Sequence, residues 1–280
     1  MKKNGFSLIE IAVVLVILSV LIAIVAVPLA TQLDQQRTVE TNKQLETIKE
    51  AIIGFALVNG RLPCPATDGN IYGATTSNGF ESPQGGGPCT VKLGYVPAVT
   101  LGVSPVDTFG FAIDAWGMTQ NRILYAVADI NIAATIPVGP PCSTAVNSPL
   151  TTAPTLTNDQ SMRAATMDCL ASKPLINVCS TNPGVAAGTA TACSPLTATL
   201  TSSAPFVLIS LGKNAPTELA GGAGADEAQN IDGRSKAQQD LVFVSHTPTA
   251  GAANGEFDDI VVWPSLNTLF ARMVQAGKLP

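Results

Sequence analysis

The stretch Gly5-Phe6-Ser7-Leu8-Ile9-Glu10, with the apolar run from Ile11 to Ala30 that follows it, decides the fold of this 280-residue chain. Lys2 and Lys3 precede the stretch, and Glu10 is its only ionisable residue. The uncharged run is close to the roughly 20 residues that a helix needs to cross a bilayer. A carboxylate in such a segment costs about 2.5–3.5 kcal/mol and therefore marks a function.

An ordinary secretory signal peptide is the alternative interpretation of this segment. Cleavage would then fall near the small residues Ala26 and Ala30. Such peptides carry an apolar region of only about 7–15 residues, and the run here is longer. A glutamate at the head of the apolar core also disfavours this alternative.

The short basic leader, the Gly-Phe-Ser-Leu-Ile-Glu motif and the apolar span together resemble the type III signal of type IV prepilins and type II secretion pseudopilins. In that family prepilin peptidase cuts after the glycine, here Gly5, and methylates the new amino terminus, here Phe6. The family's glutamate falls on Glu10, where it pairs with the N-terminal amine of a neighbouring subunit during assembly. The resemblance thus implies a leader peptide at residues 1–5 and two kinds of partner: prepilin peptidase and other pilin or pseudopilin subunits.

The charges around the span predict the topology. Lys2 and Lys3 keep the amino terminus in the cytoplasm by the positive-inside rule. Residues 6–30 are then the transmembrane half of a long helix, held in inner-membrane lipid before assembly. Everything beyond lies in the periplasm and later in a pilus or pseudopilus. Pro28 is expected to bend the helix, because a proline inside a helix removes a backbone hydrogen bond.

Residues 31–59 are predicted to continue this helix as its amphipathic half. Apolar residues recur at steps of three and four, which places them on one face: Leu45, Ile48, Ile52 and Phe55. Asn59-Gly60 is a suitable end for the helix, and Pro63 follows shortly after.

Residues 60–280 are predicted to form the head, so the fold class is α+β and pilin-like, with the long helix packed on an antiparallel β-sheet. The strand candidates are Leu93–Val99, Arg122–Ala128, Phe206–Gly212, Leu241–Ser245 and Phe257–Trp263. The last three are expected to share one antiparallel sheet laid on the helix. A closing helix is expected from Ser265 to Gln275. Arg61-Leu62-Pro63-Cys64-Pro65 and Asp114-Ala115-Trp116-Gly117 resemble segments of minor-pilin-like proteins.

All six cysteines lie on the side of the span that is expected to be exported. They are Cys64, Cys89, Cys142, Cys169, Cys179 and Cys193. An even number in an oxidising compartment indicates three disulfides, and fifteen pairings are possible. Proximity favours Cys64 with Cys89 and Cys179 with Cys193, which leaves Cys142 with Cys169. A zinc site has little support, because no Cys-x-x-Cys spacing occurs and His246 is the only histidine.

Residues 131–204 differ in composition from the rest of the head. They are rich in Thr, Ala and Pro and carry four of the cysteines. A long loop inside a compact domain is unusual unless it is functional or disordered. We therefore expect a disulfide-cross-linked surface insertion, which either is a neutral elaboration or binds a receptor or surface.

Metal binding is the one cofactor question that the sequence raises. Major pseudopilins bind calcium in a loop after a similar Ser-Leu-Gly run, and the acidic turn from Gly221 to Gly233 follows such a run here. Asp226 and Asp232 are the candidate ligands, although the family's ligand spacing is not reproduced. Asp258-Asp259 is interpreted as the border of a strand.

The remaining composition argues against catalysis and nucleic-acid binding. The net charge is −5, charged residues make up 12% of the chain, and no basic stripe is present. No nucleophile elbow or phosphate-binding loop occurs. The sequence therefore predicts a non-enzymatic, low-copy structural subunit, a minor pilin or pseudopilin, of a type IV pilus or type II secretion filament. The alternative is a pilin-anchored adhesin that acts through residues 131–204.

Overall fold

The computed structural model describes residues 8–71, 74–128, 156–157, 175–184, 190, 192–194, 198–235, 240–252 and 255–279, with backbone alone at 22–30 and 251–252. The proposed cleavage and methylation residues, Gly5 and Phe6, lie outside these ranges. So do Cys142 and Cys169, and the disulfide expected between them stays a prediction.

The amino-terminal part of the fold is a single long helix, α1, from Leu8 to Asn59. Its 52 residues span about 78 Å at 1.5 Å per residue. The helix ends where the sequence predicts, because Gly60 takes a φ of 72° and its N–H bonds to the carbonyl of Ala56 at 2.8 Å. The helix continues through position 28, and the bend expected at Pro28 stays a prediction.

Two parts of α1 have different surroundings. The side chains described from Leu8 to Leu21 are all exposed, whereas Leu45, Ile48 and Ile52 are buried under the head. The predicted apolar stripe is therefore confirmed as the face that carries the head, with Phe55 half-buried at its edge. Over the side chains that the structure describes, which omit 22–30, no helix is long and apolar enough to cross a membrane.

The head follows as short strands and helices. The strands are β1 (Leu93–Tyr95), β2 (Leu124–Val127), β3 (Ile176–Cys179), β4 (Thr199–Ala204), β5 (Phe206–Ser210), β6 (Val242–Val244), β7 (Thr249–Ala252), β8 (Gly255–Phe257) and β9 (Ile260–Val262). The helices are α2 (Ala98–Leu101), α3 (Ala225–Ile231) and α4 (Leu266–Gln275). Single helical turns lie at Thr119–Asn121, Ala215–Thr217, Glu218–Gly222 and Asp232–Ser235.

The main sheet is antiparallel throughout, with the strand order β1-β2-β5-β9. Every residue of β2 and β5 is buried, because these central strands lie in a core closed by α1 and α4. The prediction of an antiparallel sheet packed on the long helix is therefore confirmed for β5 and β9.

Three sequence predictions about strands need correction. β6 is not in the main sheet: it pairs in parallel with β3, in a second sheet of order β4-β3-β6. The candidate Leu93–Val99 is a strand only to Tyr95, because Pro97 precedes the helical turn of α2. Phe257–Trp263 is not one strand, because Asp258 and Asp259 separate β8, which pairs with β7, from β9, which pairs with β5.

The predicted surface insertion at residues 131–204 is also corrected in part. β3 and β4 lie within it, and Ile176 and Val178 of β3 are buried in the main core. Leu156 is buried there too, and its carbonyl accepts a hydrogen bond from the N–H of Leu62 at 2.8 Å. Low aromatic content hid these segments, and β3 is buried because it pairs with β4 on one side and with the more distant β6 on the other.

Two of the predicted disulfides are present. Cys64 is bonded to Cys89, and Cys179 at the end of β3 is bonded to Cys193. The first bridge fixes the segment that leaves α1, and the second ties β3 to the loop before β4. Pairing by proximity in sequence is therefore confirmed for these four cysteines.

A buried ion pair joins the end of α1 to the head. The Arg61 guanidinium donates two hydrogen bonds to the Glu81 carboxylate, at 2.8 and 2.6 Å. Glu81 also accepts from the N–H groups of Cys64 and Gly85, and both charged side chains are buried. The Arg61 guanidinium lies over the Phe55 ring at 5.0 Å.

We expect Glu81→Ala to lower the free energy of unfolding by about 3–5 kcal/mol, because it leaves the Arg61 charge buried without its partner. Chemical denaturation of the purified protein measures this change. Glu50→Ala is the matched control, since the Glu50–Arg272 pair is exposed and such pairs contribute about 0–1 kcal/mol. Equal effects of the two variants would contradict the prediction.

Candidate functional site

Three carboxylates converge in the head, from two elements that are distant in sequence. Glu227 lies in the first turn of α3, and Asp258 and Asp259 lie between β8 and β9. One oxygen of each lies within 4.8 Å of the others. Glu227 and Asp259 are buried, and Asp258 is half-buried. We call these three residues the carboxylate cluster.

Backbone and amide groups hold the carboxylate cluster in place. The Glu227 carboxylate accepts hydrogen bonds from the N–H groups of Asp258 and Gly224, at 3.1 and 3.4 Å. Both of its oxygens also accept from the Asn214 amide, at 3.0 and 3.1 Å. The Asn230 amide donates to Asp259 at 2.7 Å. The cluster is thus built where α3 packs on the turn between β8 and β9.

Gly212, the glycine of the Ser-Leu-Gly run, lets the loop after β5 approach the cluster closely. Its φ is 65°, a left-handed conformation that side chains disfavour. A Cβ atom at this position would lie 2.4 Å from Asp258 Oδ1. The next residue, Lys213, donates its N–H to Asp258 Oδ2 at 2.9 Å.

Several buried oxygens around the cluster have no hydrogen-bond donor among the residues that the structure describes. They are Asn214 Oδ1, Glu218 Oε1, Glu218 Oε2, Asp258 Oδ1 and Asp259 Oδ1. Glu218 is 1% exposed and Asp259 is 4% exposed. A buried polar atom without a partner costs about 1–3 kcal/mol, so five in one place require an explanation.

The local electrostatics are those of carboxyl groups that resist ionisation. Burial raises the pKa of Glu218 far above its usual range, and the charges of Asp259, Glu227 and Asp258 raise it further. Burial likewise raises the pKa of Asp259 well above its usual value. The pKa of Asp258 is raised to about 6, again by burial first. Each shift measures the cost of negative charge gathered in a poorly solvated place.

A divalent cation would remove both costs at once. Hard cations such as Ca²⁺ bind six to eight oxygens at about 2.3–2.6 Å, so oxygens up to about 5 Å apart can share one ion. One oxygen of each of the three carboxylates lies within 4.8 Å of the others, which is close enough for a single ion to contact all three. Carboxylate and amide oxygens are the ligand types that calcium takes. The residues present therefore fit such an ion.

Neither of the two calcium ligands predicted from the sequence is a member of this cluster, although Asp226 is next to Glu227 in the chain. Asp226 accepts hydrogen bonds from Thr181 Oγ1 and the N–H of Asn182, at 2.7 and 2.6 Å, and lies 3.3 Å from His246 Nε2. Asp232 begins the turn after α3. The expected acidic loop is largely helix, which turns Asp226 away from its neighbour Glu227.

Sequence reasoning missed the cluster because its members are about 30 residues apart. The adjacent pair Asp258-Asp259 was a usable signal, since two acidic residues inside an apolar strand pattern interrupt it. Nothing in the sequence indicates that Glu227 would face that pair. Only the packing of α3 against β8 brings them together.

The predicted assembly residue, Glu10, lies in the first turn of α1, on the exposed amino-terminal part of that helix. Around it, the apolar side chains Leu8, Ile9, Ile11, Val13 and Val14 are all more than half exposed. A helix that is apolar on every side needs lipid or other helices around it. The geometry of α1 therefore separates an apolar rod from a folded head.

Comparison with known proteins gives an independent match to this end of the chain. Residues 1–26 match the family described as the prokaryotic N-terminal methylation motif. The chain thus carries the signal of type IV pilins and pseudopilins, a signal that directs processing by prepilin peptidase. The signal also implies assembly with other pilin subunits and points to a structural class of protein. No curated protein and no solved structure matches the chain.

We expect the head, stripped of divalent cations, to lose stability as the pH rises from about 4 towards 7. Burial raises the pKa values of Asp114, Asp240, Asp258 and Asp259. The native state therefore holds protons that the unfolded chain releases near pH 4, and its stability falls with rising pH. For Asp258 this loss is complete once the pH has passed about 6.

Denaturation in the presence of a chelator, at a series of pH values, measures this slope. Asp258→Asn should flatten the curve between pH 4 and 6, because it removes one of the shifted groups. A cation-free stability that rises with pH over this range would contradict the prediction.

Proposed function

We propose that this protein is a low-copy subunit, a minor pilin or pseudopilin, of a type IV pilus or type II secretion filament. The observation that carries the proposal is the match of residues 1–26 to the methylation motif, followed by an α1 whose apolar part projects beyond the head. In this proposal residues 6–30 lie in the inner membrane before assembly and pack among other subunits afterwards. At 280 residues the chain is long for a major pilin, and this length favours the low-copy role.

The chemistry of assembly would depend on Gly5, Phe6 and Glu10. Cleavage after Gly5 frees the amine of Phe6, which is then methylated. That amine is a cation entering an apolar bundle, where an unpaired charge is costly. Glu10 of a neighbouring subunit supplies the matching carboxylate and so fixes the axial register between subunits.

Mass spectrometry of the N-terminal peptide tests the proposal. The mature protein is expected to begin at N-methylated Phe6. The same strain without prepilin peptidase should retain residues 1–5, which provides the control. A mature chain that begins near Thr31 would indicate an ordinary signal peptide and overturn the proposal. The ratio of this protein to the major subunit in sheared filaments then tests the low-copy role.

The head gives this proposal a second component, namely that the carboxylate cluster binds calcium. We propose Glu227, Asp258 and Asp259 as ligands, with Asn214 and Glu218 supplying or supporting further oxygens. The bound ion would neutralise the cluster and leave the fold of the head stabilised at neutral pH. Calorimetric titration of the chelator-stripped protein with calcium, and with magnesium for comparison, tests this component.

The alternative of an adhesin acting through residues 131–204 can be tested only with a narrower change than removal of the whole segment. Deleting β3 would remove a buried strand and unfold the head. Replacing residues 131–154 with a short flexible linker, together with Cys169→Ser because its expected partner Cys142 is removed, leaves Leu156, Thr157 and β3 in place. Loss of adhesion with intact filaments would support an adhesin. Unchanged adhesion would contradict the adhesin alternative and leave the structural role as the proposed function.

A further inference from the structure

We propose that cation occupancy of the carboxylate cluster controls the rigidity of the junction between the head and α1. This inference rests on the calcium-binding component of the proposed function. It goes further because it assigns the ion an effect about 200 residues away in sequence, on the part of α1 that leaves the head.

One line of contacts runs along the surface through Lys213. Its N–H donates to Asp258 Oδ2 at 2.9 Å, and its ammonium group donates to Asp34 Oδ2 on α1 at 2.6 Å. One residue therefore touches both the cluster and the helix. Whatever orders Asp258 also orders the backbone from which the Lys213 side chain reaches α1.

A second line of contacts is buried. The Gly212 carbonyl accepts from the Asn121 amide at 2.5 Å, and that amide also donates to Asp114 at 3.2 Å. Asp114 accepts from Ser210 Oγ at 2.6 Å as well. The N–H of Ala115, the residue after Asp114, donates to Thr41 Oγ1 on α1 at 3.2 Å.

Both lines end at the place where α1 emerges from the head. Among the α1 side chains that the structure describes, Thr41 is the first buried one counted from the amino end, and Asp34 is half-buried. Beyond Asp34, towards the amino end, the described side chains are exposed. These two contacts therefore set how firmly the exposed part of α1 is joined to the head.

The cation would act on both lines through the loop Gly212–Asn214. Without an ion, the crowded carboxylates favour local opening of this loop, which Asp258 and Glu227 hold by hydrogen bonds. An ion that binds only the closed arrangement stabilises it by mass action. Within this loop, Lys213 contacts Asp34 on α1, and Gly212 contacts the Asn121–Asp114 network. Closure of the loop therefore also protects the junction.

Hydrogen exchange on the full-length protein in detergent micelles tests this coupling. Calcium is expected to slow exchange of amides in residues 31–44 by roughly threefold or more, the scale of one or two exposed polar contacts. Lys213→Ala, which keeps the backbone N–H, should bind calcium normally and show a smaller slowing at residues 31–44. Arg272→Ala is the matched control, since it removes a second ion pair between head and helix, the one to Glu50, and no contact that the structure describes joins this pair to the cluster.

The outcomes separate the coupling from the binding that it requires. Slowing in the wild type and the Arg272 variant, with reduced slowing in the Lys213 variant, supports the proposal. Calcium binding by calorimetry with unchanged exchange at residues 31–44 overturns the coupling and leaves the binding intact. Absence of calcium binding overturns both. Thr41→Val then tests the buried line by the same readout.

Discussion

Glu10→Ala is expected to remove this protein from filaments while it remains in the membrane fraction. Inserting the segment into lipid does not require the carboxylate, and an alanine in its place makes insertion more favourable. Assembly is different, because the neighbouring subunit would bury its cationic N-terminal amine with no carboxylate from this subunit to meet it. Breaking a buried pair in this way costs about 3–5 kcal/mol.

That cost corresponds to a loss of incorporation of at least about 100-fold. It is measured as the amount of the protein in sheared filaments relative to the membrane fraction, with the major subunit as an internal standard. Glu40→Ala is the matched control, because Glu40 is an exposed glutamate on the same helix, outside the apolar part. Normal incorporation of the Glu10 variant would mean that the carboxylate does not set the register.

Asp259→Asn is expected to stabilise the cation-free head and to reduce its stabilisation by calcium. The substitution removes one charge from a crowded cluster, so the cation-free variant should be more stable than the cation-free wild type. The amide carbonyl can still accept the Asn230 hydrogen bond that holds the side chain. Removal of a charged ligand should also weaken calcium binding by about 100-fold.

The stability order of the two proteins should therefore invert when calcium replaces the chelator. Thermal denaturation in both conditions measures this inversion, and calorimetry measures the affinity. Glu256→Gln is the matched control, since Glu256 is exposed two residues before Asp258. A variant that is less stable than the wild type in chelator would indicate that Asp259 is satisfied without an ion and that the cluster is not a cation site.

Part of the fold could be predicted from local sequence patterns. The length of α1, its end at Gly60 and its buried stripe follow from helical periodicity, which needs only neighbouring residues. β2, β5 and α4 were also predictable from local sequence, because each is a short segment with apolar residues that is closed by turn residues. Strand pairing was harder to predict. β6 pairs in parallel with β3, and no local feature of either strand indicates this partner.

The candidate cation site was less predictable still. The sequence named Asp226 and Asp232 as candidate calcium ligands, whereas the structure brings Glu227 together with Asp258 and Asp259. Helix α3 turns successive side chains by about 100°, so Asp226 and Glu227 point to different neighbours. Which of the two meets Asp258-Asp259 depends on how α3 packs, and packing is settled by burial across the whole head.

By itself, the sequence determined the processing signal, the long helix and two of the disulfides. Each depends on residues close together in the chain: a motif of six residues, a helical repeat, and cysteines 25 and 14 residues apart. The tertiary structure alone decided that β3 belongs to the core and that Glu227 joins Asp258 and Asp259. It also decided that the loop after β5 reaches both this cluster and α1. Contacts of this kind depend on which surfaces must be buried together, and that is a property of the folded chain rather than of any segment of it.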